Sequence, residues 1–115
     1  MLVMANISAV LAALSDPTRL GIFERLASGP LPVGQLARSF PVTRPAVSQH
    51  LRVLKRAGLV IDEHAGTRRV YRVNPIALQE IRAYFDRFWT DALVSFKAAA
   101  EHSHRREPPH SRGKA

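Results

Sequence analysis

Residues Thr43 to Ala57, Thr-Arg-Pro-Ala-Val-Ser-Gln-His-Leu-Arg-Val-Leu-Lys-Arg-Ala, constrain the fold more than any other stretch. Wound as a helix, they place Val47, Leu51 and Leu54 at i, i+4 and i+7, on one apolar stripe. Turning 100° per residue sends Pro45, Ser48, Gln49, Arg52 and Arg56 to the other side, which carries no carboxylate. Thr43 suits the N-cap, where its hydroxyl can accept an orphan N–H of the first turn. Pro45 is tolerated in that turn because its missing N–H has no intrahelical partner. Gly58 suits a left-handed C-terminal cap. A helix with a dry side and an uncompensated basic side points to an anionic ligand. In the major groove Gln can pair with adenine, Arg with guanine, and Ser with several partners.

The rest of the chain fits one small domain. Its 115 residues allow a modest core, and 46% hydrophobic with 23% charged residues is ordinary globular composition. The net charge of +8 is what a protein that meets a polyanion carries. No apolar run approaches the roughly 20 residues of a membrane span, and no basic n-region precedes an apolar stretch at the N-terminus. The expectation is a cytoplasmic protein with no membrane partner. Met1 and Met4 are both candidate starts. The absence of cysteine excludes disulfides, thiolate nucleophiles and thiolate metal sites.

In chain order, Ile7, Val10, Leu11 and Leu14 predict a first helix from about Ala5 to Leu14. Asp16 as N-cap and Pro17 at the first helical position open a second, with Leu20, Phe23 and Ala27 inward and Gly29-Pro30 as its stop. Val33, Leu36, Ala37 and Phe40 mark a short third helix, and Phe40-Pro41-Val42 turns the chain into the Thr43 helix. Two short helices with a tight connection read as a helix-turn-helix, whose second helix enters the major groove. Leu59-Val60-Ile61 and Val70-Tyr71-Arg72-Val73 then read as strands, with Gly66 centred in the intervening turn. A hairpin there is a wing, with Arg68 and Arg69 just past its tip for the backbone or minor groove. From Thr43 to Arg72 seven basic residues face two acidic ones, so this window supplies +5 of the +8.

Asn74-Pro75 opens a last helix to about Ala100. Leu78, Ile81, Phe85, Phe88 and Ala92 form one stripe; Tyr84, Trp89, Leu93 and Phe96 form an adjacent one. Five of the eight aromatics lie between Tyr84 and Phe96, more than so small a domain can cover by itself. A second copy of the chain on a two-fold axis would cover them. Residues 101–115 have no large apolar side chain and read as a disordered basic tail, leaving residues 1–100 as the DNA-binding and dimerisation domain.

These residues resemble the ArsR/SmtB family of winged-helix repressors. The likeness rests on Leu-Ser-Asp-Pro-Thr-Arg-Leu (14–20), Val-Gly-Gln-Leu-Ala (33–37), Ala-Val-Ser-Gln-His-Leu-Arg-Val-Leu-Lys-Arg-Ala-Gly-Leu-Val (46–60) and the Gly66 to Tyr71 wing, and it spans about residues 5–100. It implies a mainly α winged helix-turn-helix, α-α-α-α-β-β-α, and a homodimer through the first and last helices. It also implies repression from an operator, pseudo-palindromic if the dimer is two-fold. The implied DNA-binding set is Thr43, Arg44, Ser48, Gln49, His50, Arg52, Arg56, Arg68 and Arg69. Within it Ser48, Gln49 and Arg52 read bases, Arg44 and Arg56 meet phosphates, and His50 packs or meets a phosphate. The implied interface is Ile7, Val10, Leu11, Ile81, Phe85, Phe88, Trp89 and Ala92.

The departures narrow the reading. Where metal-sensing members carry a cysteine pair in the third helix, this chain has Pro32 and Gly34, which cannot ligate. No histidine lies between Thr67 and Glu101, so the last-helix ligand set of other members is missing. His102 and His104 read as solvated tail residues and His64 as wing surface. The aromatic last helix looks like a metal-free branch, whose members are often autorepressors or answer to other inducers. No metal or cofactor is expected. A ligand under Phe85 and Trp89 would make the chain a metal- or small-molecule-responsive sensor that releases DNA; the aromatic stripe itself reads as core or interface. No nucleophile–base pair, phosphate-cradling Gly-rich loop or paired carboxylates suggest an enzyme. Asp62, Glu63, Asp86 and Asp91 read as surface.

Overall fold

A computed structural model describes residues 2–106, and the side chains of residues 7–103. The order is α1 (Leu2–Ala13), α2 (Pro17–Leu26), β1 (Leu31–Pro32), α3 (Val33–Arg38), α4 (Arg44–Arg56), β2 (Val60–Ala65), β3 (Arg68–Val73) and α5 (Pro75–Arg106). The expected helices and hairpin are all present, with one addition. Leu31 and Pro32 pair with Tyr71 and Val70, making a three-stranded antiparallel sheet in the order β1-β3-β2. Pro32 is tolerated because β1 is an edge.

The predicted caps set the joints. Asp16 accepts the Arg19 N–H at 2.9 Å, and the Arg19 Nε donates to the Ala13 carbonyl at 2.6 Å, tying the end of α1 to the start of α2. Thr43 Oγ1 accepts the Ala46 N–H at 3.2 Å. At the other end of α4, Gly58 takes φ +81°. The Leu59 N–H bonds the Leu54 carbonyl and the Gly58 N–H that of Lys55, a Schellman closure. Gly66, at φ +68°, forms with Thr67 the two-residue turn between Ala65 and Arg68. The strands therefore run to the tip of the wing, further than the β-rich residues alone suggest. Asn74 opens α5: its Oδ1 accepts the Ile76 N–H, and its Nδ2 reaches the Gly58 carbonyl at 3.0 Å.

The chain divides into two compact units, residues 1–81 and residues from 82 onward. The core lies in the first. Val47, Leu51 and Leu54 of α4 are fully buried with Val10, Ala13, Ile22, Leu26, Leu36, Leu59, Val60 and Ala77. Two expectations change here. The inner face of α2 is Ile22 and Leu26, while Leu20 and Ala27 are exposed and Phe23 is half-buried. Val10, assigned to a partner, is 2% exposed, and Ile7 and Ile81 also pack on the core. On α1 the residues spaced 7-10-13 point inward, so of the three assigned there only Leu11 stays outside.

The second unit is the continuation of α5. Residues 101–106, expected in the tail, are helical, and 107–115 lie outside the described residues. Phe85, Phe88, Trp89, Leu93, Val94 and Phe96 are exposed on it in the single chain, Trp89 by 64% and Phe96 by 72%. Tyr84 and Phe85 meet edge-to-face at 5.2 Å.

Adjacent positions on α4 test its orientation. Leu51→Ala should lower the unfolding free energy by about 2–5 kcal/mol in urea titrations, whereas Arg52→Ala should change it by no more than about 0.5 kcal/mol. Equal losses would mean that the helix does not bury the stripe assigned to it.

Candidate nucleic-acid interface

The burial of one side of α4 leaves the other on the surface. Gln49, Arg52 and Arg56 are exposed and Ser48 is half-exposed. Gln49 and Arg52 are one turn apart, and the Gln49 Oε1 accepts a hydrogen bond from Arg52 Nη2. This face presents a hydroxyl, an amide and guanidinium groups. Arg56 lies at the edge of a shallow groove beside Ala9, Ala12 and Arg19.

His50 lies on a different flank. Its Nδ1 is 3.3 Å from Arg19 Nη1, and its Nε2 is 4.0 Å from the Asp16 carboxylate. The ring bridges α4 to the capped start of α2. Asp16 is itself held below its ordinary value of 3.8, first by the Arg19 backbone N–H and then by the His50 and Arg19 charges.

A second cluster forms where the starts of α3 and α4 meet the wing. An open recess of about 480 Å³ is lined by Pro32, Val33, Gly34, Gln35, Arg38, Arg44, His64, Thr67, Arg68 and Arg69. The Arg44 guanidinium lies against the backbone of Gly34. Four arginines and a histidine line this space, and no carboxylate does. The structure thus brings Arg44 together with Arg68 and Arg69, and adds Arg38, which the sequence reading omits. Arg38 sits in the last turn of the first helix of the helix-turn-helix, the element that lies across the backbone in that motif.

Asp62 departs from its expected place on the surface. Its side chain is 5% exposed and lies between Lys55 of α4, at 2.8 Å, and Arg69 of β3. Arg69 also contacts the His64 Nε2 at 3.0 Å. One carboxylate in the middle of β2 thus pins the wing to the last turn of α4 and compensates two of the window's seven cations. Glu63 pairs with a third, Arg72, at 3.3 Å. The Lys55 hydrogen bond, followed by that of Arg69, holds the Asp62 carboxyl below its ordinary 3.8 despite opposing desolvation. Nothing in the spacing of Lys55, Asp62 and Arg69 announces this, because the three meet only after the hairpin folds onto α4.

Among the described residues, no group of three or more His, Asp or Glu is placed to hold a metal ion, and no helix is long and apolar enough to cross a membrane.

Comparison with known proteins finds relatives with the same fold. Residues 14–63 match the helix-turn-helix domain family. The chain is 62% identical over 84 residues to the HTH-type transcriptional regulator Rv2034 of Mycobacterium tuberculosis, covering 73% of this chain and 78% of that protein. It is 32% identical over 81 residues to the arsenical resistance operon repressor of Staphylococcus xylosus, covering 70% and 78%. A solution structure from Mycobacterium bovis superposes with a TM-score of 0.61 at 27% identity, covering 93% of this chain and 91% of that one. It is the homodimeric winged helix-turn-helix DNA-binding domain of Mb0332, a possible ArsR-family transcriptional regulator.

The Asp62 clamp has a pH signature. A carboxyl lowered by folding contributes stability that is present above its ordinary value and lost as pH falls through the folded one. Stability should therefore decline below about pH 4. Asp62→Asn should cost about 1–2 kcal/mol at neutral pH, between an exposed and a buried ion pair, and flatten the acid limb. Thermal melts of both proteins from pH 7 to pH 2 check this; parallel curves would show that the carboxylate is not a clamp.

Proposed function

The chain belongs to the ArsR/SmtB family of winged-helix DNA-binding transcriptional regulators, and from that footing we propose that it is a homodimer that represses transcription by occupying a pseudo-palindromic operator. The exposed side of α4 carries this reading most directly. It is the outward face of the second helix of a helix-turn-helix and displays Ser48, Gln49 and Arg52 with no acidic side chain. Arg52 is assigned to guanine and Gln49 to adenine, the pairings their donor and acceptor geometry favours. The bond between them orients both groups before DNA arrives. Arg44 and Arg56 are assigned to phosphates, with Thr43 capping the helix that carries them. In the wing Arg68 is the contact, since Arg69 is drawn towards Asp62. His50 is assigned to positioning α4 against α2.

Dimerisation is supported by the aromatic side of the second unit, where Phe85, Phe88, Trp89 and Leu93 are exposed in the single chain. The Mycobacterium bovis domain, which is homodimeric, supports it as well. Leu11 on α1 is also outward. Repression is supported by the arsenical resistance operon repressor to which the chain is similar. The chain has no cysteine and carries Pro32 and Gly34 at the start of α3, so any metal it answered to would need a different ligand set. The protein is proposed to work in the cytoplasm, with the DNA.

Arg52→Ala should weaken binding to a duplex selected from a random pool by about 1–3 kcal/mol and relax preference at one position in each half-site. Gel-shift titration followed by reselection reads both, and unchanged affinity would remove Arg52 from the reading face. Trp89→Glu combined with Phe88→Glu should convert a dimer into a monomer in sedimentation equilibrium, and footprints should shrink from two half-sites to one. A dimer that survives both charges would place the interface elsewhere.

A further inference from the structure

We infer that the recess between α3, α4 and the wing is a phosphate-binding site, in which Arg38, Arg44 and Arg68 together hold one phosphate group. Where the phosphate comes from the operator backbone, the inference rests on the DNA-binding reading above.

Three observations carry it. First, charge in the recess is sorted. Asp62 engages Arg69, but among the described residues no carboxylate pairs with Arg38, Arg44 or Arg68. Three like charges lining one space repel each other, and an anion relieves that repulsion. Second, the donors come from three elements: the last turn of α3, the first residue of α4 and the first residue of β3. Guanidinium forks supplied by three separate elements suit a tetrahedral oxyanion with several acceptor oxygens better than a planar carboxylate, which one fork satisfies. Third, the remaining lining is compatible with such a guest. The Thr67 hydroxyl and Gln35 amide can donate at the rim, and about 480 Å³ exceeds what one phosphate fills.

The group could be a backbone phosphate of bound DNA or the phosphate of a soluble ligand that competes with DNA. The chemistry is shared, and the two sources separate experimentally. The wild-type chain, Arg38→Gln, Arg44→Gln and, as a control outside the recess, Arg25→Gln of α2 are compared in two measurements, with circular dichroism confirming that each is folded. The first is the salt dependence of binding to selected and random duplexes. The second is calorimetric titration with millimolar pyrophosphate in the absence of DNA.

If the site holds a backbone phosphate, Arg38→Gln and Arg44→Gln each flatten the slope of log K against log salt, and the two together flatten it by no more than about 0.9 per recess engaged, the share of one phosphate. The loss is the same on selected and random duplexes, and Arg25→Gln leaves the slope unchanged. If it holds a soluble phosphate, pyrophosphate binds the wild-type chain and Arg25→Gln, fails to bind the two recess variants, and displaces DNA from the wild type. Either result supports the site. It is overturned if both recess variants keep the wild-type slope and pyrophosphate does not bind, or binds all four proteins alike. Failure of the wild-type chain to bind any duplex would sink the operator reading instead, and the pyrophosphate titration would then decide the recess by itself.

Discussion

The interaction on which the rest depends is the burial of Val47, Leu51 and Leu54. A helix has one rotation about its axis, and burying that stripe chooses it. Once the three side chains are inside, Gln49 and Arg52 have nowhere to go but out. Truncating Leu51 or Leu54 to alanine would cost about 2–5 kcal/mol, a large part of the 5–15 kcal/mol that holds a small domain folded. The orientation of the polar face is thus as secure as the fold itself. Leu59 and Val60, just past the Gly58 cap, join the same core, so the strand that starts the wing is placed by the packing that places α4.

Charge is distributed on that frame by local compensation. The window from Thr43 to Arg72 carries seven basic and two acidic residues, and both acids sit in the middle of β2. Asp62 ties Lys55 of α4 and Arg69 of β3, joining wing to helix, and Glu63 ties Arg72 across the two strands of the wing. Among the described residues, Arg44 and Arg68 have no acidic partner, and neither does Arg38 from α3. The surplus is therefore carried by Arg44 and Arg68 in the recess, with Arg38, and by Arg52 and Arg56 along α4, charge that electrostatic attraction to a phosphate backbone uses.

Both faces of α4, its two caps and the turn at Gly66 are legible in the sequence because each depends on residues within a few positions of one another. What escapes a linear reading depends on distant partners. The two-residue strand at Leu31 and Pro32 has no propensity of its own and exists because β3 offers an edge. Asp62 is an ordinary surface acid until a folded hairpin brings it between cations seven residues away on either side. Arg38 gains its place only when the wing lies near α3. Val10 shows the opposite case: an apolar residue on a terminal helix suits a partner or the core equally well, and only the folded packing, in which it joins the core cluster, decides. His50 is similar, since its neighbour in sequence, Gln49, faces out while its own ring meets Arg19.

The central claim is that one surface, the outward side of α4 continued by the wing tip, meets the duplex. Backbone amide chemical-shift mapping with a bound operator duplex tests it most directly. Perturbations should concentrate at residues 43–52 and 66–69 and leave the exposed turn of α2 around Glu24 and Arg25 unaffected. Perturbations centred on α2, with the Gln49 and Arg52 amides unmoved, would contradict it.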